Sequence, residues 1–125
     1  MEFISTSRAP KAIGPYSQAV KVGNMLFVSG QIPMDPETNQ LVNGPIEDLT
    51  KLVLSNLKNI VNDAGFNLTD VAKVTIFLNN MDDFGKVNKI YEDFFGGHKP
   101  ARAVVEVARL PKDVSIEVEC IAVRV

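Results

Sequence analysis

IEDLTKLVLSNLKNIVNDAG (residues 46–65) followed by VAKVTIFL (residues 71–78) decides how this chain folds. In the first stretch Ile46, Leu49, Leu52, Val53, Leu57, Ile60, Val61 and Ala64 recur at helical spacing. Pro45 suits the first helical position, Glu47 and Asp48 suit the positive end, and Gly65 suits the C-terminal cap. The second stretch is rich in β-branched residues and reads as a strand. A second helix is expected from about Asn80, with Asp82 and Asp83 at its start and Gly96-Gly97 at its end. Its apolar face carries Phe84, Val87, Ile90, Tyr91, Phe94 and Phe95. Upstream, Gly23-Asn24 is a hairpin turn signal between strands at 17–22 and 25–30. Residues 32–45 read as a long loop. Downstream, strands are expected over about 101–109 and 114–124. With a short strand at 2–6 the order is β-β-β-α-β-α-β-β.

Right-handed crossovers place both helices on one face of the sheet. The other face, with Val105, Val107, Ile121 and Val123, has no cover from within the chain. An open apolar sheet face calls for another chain, so an obligate oligomer is expected.

Length and composition agree with one domain spanning residues 1–125, without a metal or disulfide staple. The one cysteine, Cys120, has no internal partner, and the one histidine, His98, excludes a two-histidine metal site within a chain. No metal and no cofactor are expected. The net charge of −2 differs from the basic footprint of a nucleic-acid binder. No signal peptide or membrane span is legible, so the cytoplasm is the expected compartment, with no membrane partner.

Several side chains could carry chemistry. Arg102 enters a strand of small and apolar residues. There it either presents a planar fork to a carboxylate or makes an interfacial or surface ion pair. Glu117 and Glu119 share one strand face, suited to acid–base work or simply to solvation. A turn at 110–113 between neighbouring strands would set Glu106 opposite Glu117, an unfavourable like-charge pair. Either the register differs or those strands are not neighbours. Tyr16 follows Gly14-Pro15, and Ser29-Gly30-Gln31 closes a strand where a glycine admits a close approach. Asn88 on the second helix either reaches a pocket or satisfies a buried backbone group. His98 reads as a solvated loop residue and Cys120 as core.

Three motifs make the chain recognisable. They are Ala12-Ile13-Gly14-Pro15-Tyr16-Ser17-Gln18-Ala19, then Leu26-Phe27-Val28-Ser29-Gly30-Gln31-Ile32-Pro33, then the run from Pro100-Ala101-Arg102 through Arg109-Leu110-Pro111-Lys112-Asp113 to Ile116-Glu117-Val118-Glu119. Together they resemble the RidA/YjgF family of enamine/imine deaminases over nearly the whole chain. The resemblance implies an α+β, chorismate-mutase-like mixed sheet with two helices packed on one face. It also implies a homotrimer with a barrel-like sheet core and clefts between subunits. The last strand should insert between the strand ending at Ser29 and the 71–78 strand, which separates Glu106 from Glu117.

The resemblance further implies that Arg102 grips the carboxylate of a small imino or keto acid. Tyr16, Ser29 and Gly30 would line the same cleft, and Glu117 would position the attacking water. The reaction implied is hydrolysis of 2-imino acids, such as 2-iminobutanoate and 2-iminopropanoate, to 2-keto acids and ammonia. Many active relatives carry cysteine two residues beyond the arginine, where this chain has Val104, so a pocket thiol is missing. The competing reading is a trimer that binds a carboxylate metabolite without turning it over. RNA cleavage is disfavoured by the charge and by the lack of a basic–aromatic platform.

Overall fold

The computed structural model describes all 125 residues. Six strands form one sheet: β1 (Glu2–Ile4), β2 (Ala19–Val22), β3 (Met25–Gln31), β4 (Val71–Leu78), β5 (Ala101–Glu106) and β6 (Ile116–Val123). The helices are α1 (Ile46–Asp63) and α2 (Phe84–Phe95). The spatial order is β1-β2-β3-β6-β4-β5. All neighbours are antiparallel except β4 and β5, which run parallel on either side of α2 in the chain. The sheet is therefore mixed, and the class is α+β.

The apolar periodicities explain the layers. Along α1, Leu49, Val53, Leu57, Ile60 and Val61 are buried, and along α2 Val87, Tyr91 and Phe95 are. They join Leu26, Val28, Val74, Ile76, Leu78, Val118, Cys120 and Ala122 of the sheet in one core. Strand side chains alternate in direction, so these sheet residues share the helix-covered face. The opposite face carries Phe27 and Val105, 41% and 39% exposed, with Phe77, Ile121 and Val123 half-buried. No element of the chain covers it.

The β2–β3 hairpin, α1, β4 and α2 stand where the local patterns put them. The ends differ in instructive ways. Pro45 is the residue before α1, with extended backbone, and not its first helical residue. A tight turn over Met81–Asp83 precedes α2, and the Asn80 side chain accepts from the Asp82 N–H. β5 stops at Glu106, short of 109, although the Val107 N–H still donates to Leu78 O. β1 ends at Ile4, and β6 runs from 116 rather than 114, because Pro111 opens another tight turn.

β6 does lie between β3 and β4, with Phe27 opposite Ile121 and Phe77 opposite Glu117. Glu106 instead pairs with Leu78 of β4, and its carboxylate accepts from the Met81 N–H. No like-charge opposition arises.

Two buried amides pin the loops at the end of β3. Asn56 of α1 donates to Met34 O at 2.9 Å. Gln18, 3% exposed, accepts from the Thr6 N–H at 2.7 Å and donates to Thr6 O and Pro10 O at 3.0 and 2.8 Å. Gln18→Ala leaves these backbone groups without partners. It should lower the unfolding free energy by about 2–3 kcal/mol. In chemical denaturation this will show as an earlier midpoint with an unchanged slope.

Candidate active site

A cleft of about 550 Å³ opens where β3 ends. Its wall includes Tyr16, Ser29, Gly30 and Glu117. Each is placed by a local constraint. Gly14 has φ +124°, a conformation that favours glycine, and the Tyr16 N–H donates back to Gly14 O at 2.9 Å. This tight turn swings the Tyr16 ring outward, 52% exposed, with its hydroxyl accepting from the Ile13 N–H at 3.2 Å. The Tyr16 O–H proton stays free to donate. The Ser29 hydroxyl donates to Ser17 O at 2.6 Å, so toward a ligand it offers lone pairs.

Glu117 reaches the cleft by crossing Gly30. A Cβ at residue 30 would overlap the Glu117 carboxylate and approach its Cδ to 2.8 Å. The absence of a side chain at Gly30 is thus a steric requirement of the glutamate. β3 and β6 also lose regular register between Val28 and Gln31, which opens the sheet at this point. Glu117 is half-buried. Burial raises its pKa above the usual glutamate value, and the nearby Glu119 charge adds to the rise. A carboxyl so placed holds and releases a proton closer to neutrality than a solvated one.

Arg102 lies elsewhere. In β4, Val74 pairs with Arg102 and Phe77 pairs with Glu117. Positions 74 and 77 point to opposite faces of a strand, so the arginine and the glutamate do too. Arg102 reaches the α2 side, where its Nη1 donates to Asn88 Oδ1 at 2.7 Å. A second cleft there is lined by Asn88, Tyr91, His98 and Arg102, among others. The sequence candidates therefore form two groups within one copy: Tyr16, Ser29, Gly30 and Glu117 in one, Arg102 and Asn88 in the other. Val104 sits on the arginine side opposite Ile76, half-buried against the core, and lines neither cleft.

Some participants escaped the sequence patterns. Lys11 and Lys112 line the Glu117 cleft, and Gln18 holds its rim. Phe84 and Tyr91 lie beneath Arg102. Their spacing with Asn88 on α2 was the available signal. His98 is not a solvated loop residue: its ring is half-buried and its Nε2 lies 2.7 Å from Val71 O. Cys120 is core as expected, its thiol pKa pushed up to about 12 chiefly by burial.

The chain is similar to known proteins over nearly its whole length. Residues 6–124 match the family model described as endoribonuclease L-PSP. A RutC family protein of Pyrococcus abyssi is 58% identical over 121 residues, which cover 97% of this chain and 95% of that protein. The 2-iminobutanoate/2-iminopropanoate deaminase of Rattus norvegicus is 52% identical across 98% of this chain and 90% of its own length. The crystal structure of Escherichia coli TdcF with bound serine aligns with a TM-score of 0.95 at 46% identity, covering 100% of both chains.

Gly30→Ala tests the packing of the glutamate. Only the flexible Glu117 side chain must move, so thermal unfolding should shift little, by less than about 1 kcal/mol in stability. Carbon-detected titration should place Glu117 above the usual glutamate range in the parent. In Gly30→Ala the value should fall back toward that range as the carboxyl is expelled into solvent.

Proposed function

The chain belongs to the RidA/YjgF family, and on that premise we propose that it hydrolyses 2-imino acids to 2-keto acids and ammonia at sites completed between subunits of a homotrimer. The observation that carries this reading is the half-buried carboxyl of Glu117, its pKa raised by burial, laid across Gly30 in an open cleft. The named activity of the rat relative supports the substrate class.

The chemistry needs few parts. A protonated imine carbon is already electrophilic. Arg102 would hold the substrate carboxylate through paired N–H donors. Glu117 would orient one water and take its proton as the water oxygen bonds to C2. The same carboxyl then returns that proton to the amino nitrogen and takes the proton of the C2 hydroxyl as the C=O bond forms and the C–N bond breaks; the 2-keto acid and ammonia leave, and the remaining proton passes to ammonia as ammonium. The Tyr16 hydroxyl, with its free proton, suits the developing oxygen at C2.

One copy holds Arg102 and Glu117 on opposite sheet faces, so a single chain does not bring the grip to the water-positioning group. A ring in which each subunit offers its Arg102 side to one neighbour and its Glu117 side to the other would join them. The uncovered face with Phe27, Val105 and Ile121 supports such assembly. A second reading, capture of a carboxylate metabolite without turnover, draws support from the serine bound by E. coli TdcF. RNA cleavage fits less well with a net charge of −2.

The test supplies 2-iminobutanoate from threonine dehydratase and traps escaping imine with semicarbazide. The parent should speed keto-acid formation and lower trapping. Arg102→Ala should reduce kcat/KM by about 30-fold to several thousand-fold, from charged-pair magnitudes. Glu117→Gln should reduce kcat by about 10²–10⁴-fold. Saturable binding of 2-ketobutyrate without any acceleration would favour the metabolite-binding reading.

Assembly has its own check. Light scattering should give three times the 13.7 kDa chain mass. Random mixing of the two inactive variants in one trimer should restore about a quarter of parental activity, since each site draws its two residues from different chains. A mixture that stays inactive would place both residues' roles within one copy.

A further inference from the structure

Phe84, Asn88 and Tyr91 stand at i, i+4 and i+7 of α2, so they form one stripe along the helix. Arg102 lies over that stripe. Its guanidinium carbon is 5.6 Å from the Phe84 ring centroid and 4.8 Å from that of Tyr91. Both distances fall within the reach of a cation–π attraction, about 6 Å. The single hydrogen bond of the guanidinium runs from Nη1 to Asn88 Oδ1.

A long arginine side chain on an exposed edge strand has much rotamer freedom to lose when it takes up a ligand. Here two rings and one amide hold it beforehand. Ordering done before binding is not subtracted from affinity. We propose that Phe84 and Tyr91 are positioning residues for Arg102, fixing its plane while Asn88 occupies Nη1, so that Nε and Nη2 face the substrate carboxylate as a free parallel fork. The proposal rests on the assignment of Arg102 as the carboxylate grip.

Tyr91 shows which part of its side chain acts. The residue is 7% exposed, and its hydroxyl is buried without a hydrogen-bond partner. The hydroxyl therefore ties Arg102 to nothing. What Tyr91 offers the guanidinium is the face of its ring.

The experiment pairs nitrogen-detected spectra of the arginine side chains with imine kinetics. In the parent and in Tyr91→Phe, the Arg102 Nε and Nη signals should be dispersed and distinct from those of free arginine. In Phe84→Leu and Tyr91→Leu they should collapse toward the free values. KM for 2-iminobutanoate should rise about 3–30-fold in the leucine variants, the span of one lost cation–π contact. It should change by less than about 2-fold in Tyr91→Phe, and kcat should hold throughout, because the grip acts equally in ground and transition states.

Phe84 is only half-buried, so Phe84→Leu carries the test if Tyr91→Leu does not fold. Unchanged Arg102 signals in the leucine variants overturn the proposal. So does an unchanged KM in those variants when Arg102→Ala raises it. If Arg102→Ala itself leaves KM unchanged, the fault lies in the assignment of the grip, and the proposal falls with it.

Discussion

The insertion of β6 between β3 and β4 is the constraint on which the remaining structure depends. Strand backbones must pair their N–H and C=O groups when buried. β3 and β4 each have one edge satisfied from their own half of the chain, by β2 and β5. The edge left over on each is filled by the same strand, antiparallel to both. β6 thereby joins a hairpin half to a strand–helix–strand half, and it seats α1 and α2 over one continuous apolar surface. It also sets the chemistry. Its alternation sends Val118 and Cys120 into the core and Glu117 and Glu119 to the other face.

That alternation separates the charged groups by the thickness of a sheet. Arg102 is steadied from the helix side, by Asn88 and two aromatic rings. Glu117 is steadied from the open side, by the space that Gly30 leaves. Each environment suits its group. The guanidinium lies against ring faces on an exposed edge strand. The carboxyl sits where burial weakens its hold on charge and makes proton transfer easier. The two-sided arrangement leaves it to a neighbouring copy to bring grip and proton carrier together.

Local structure was legible from the chain because its signals are local. Gly23-Asn24 marks the hairpin, and the spacing of Leu49, Val53, Leu57 and Ile60 marks α1. Strand order was not legible from periodicity, since nothing in IEVECIAV says which edges it will fill; the family resemblance supplied that placement. β5 illustrates a second limit. ARAVVE has no clean alternation, and its residues are all exposed or half-buried, so its pattern does not say which face Arg102 takes. The register with Val74 does. Likewise, Gly30 and Glu117 each looked weakly informative alone. Their meaning is a steric fit between residues far apart in the chain. The stripe of Phe84, Asn88 and Tyr91 was visible as an apolar helix face, but the guanidinium lying on it was not.

Of the six strands, the one that fastens the two halves is made last. During synthesis the hairpin and the strand–helix–strand unit emerge before residues 116–123 exist to join them. Throughout that interval β3 and β4 present open, apolar edges, which are ready templates for pairing with a foreign strand. The sheet is therefore completed only once residues 116–123 have emerged. A fragment lacking the C-terminal strand would not be a smaller version of the fold; it would be two unjoined sheets with exposed edges.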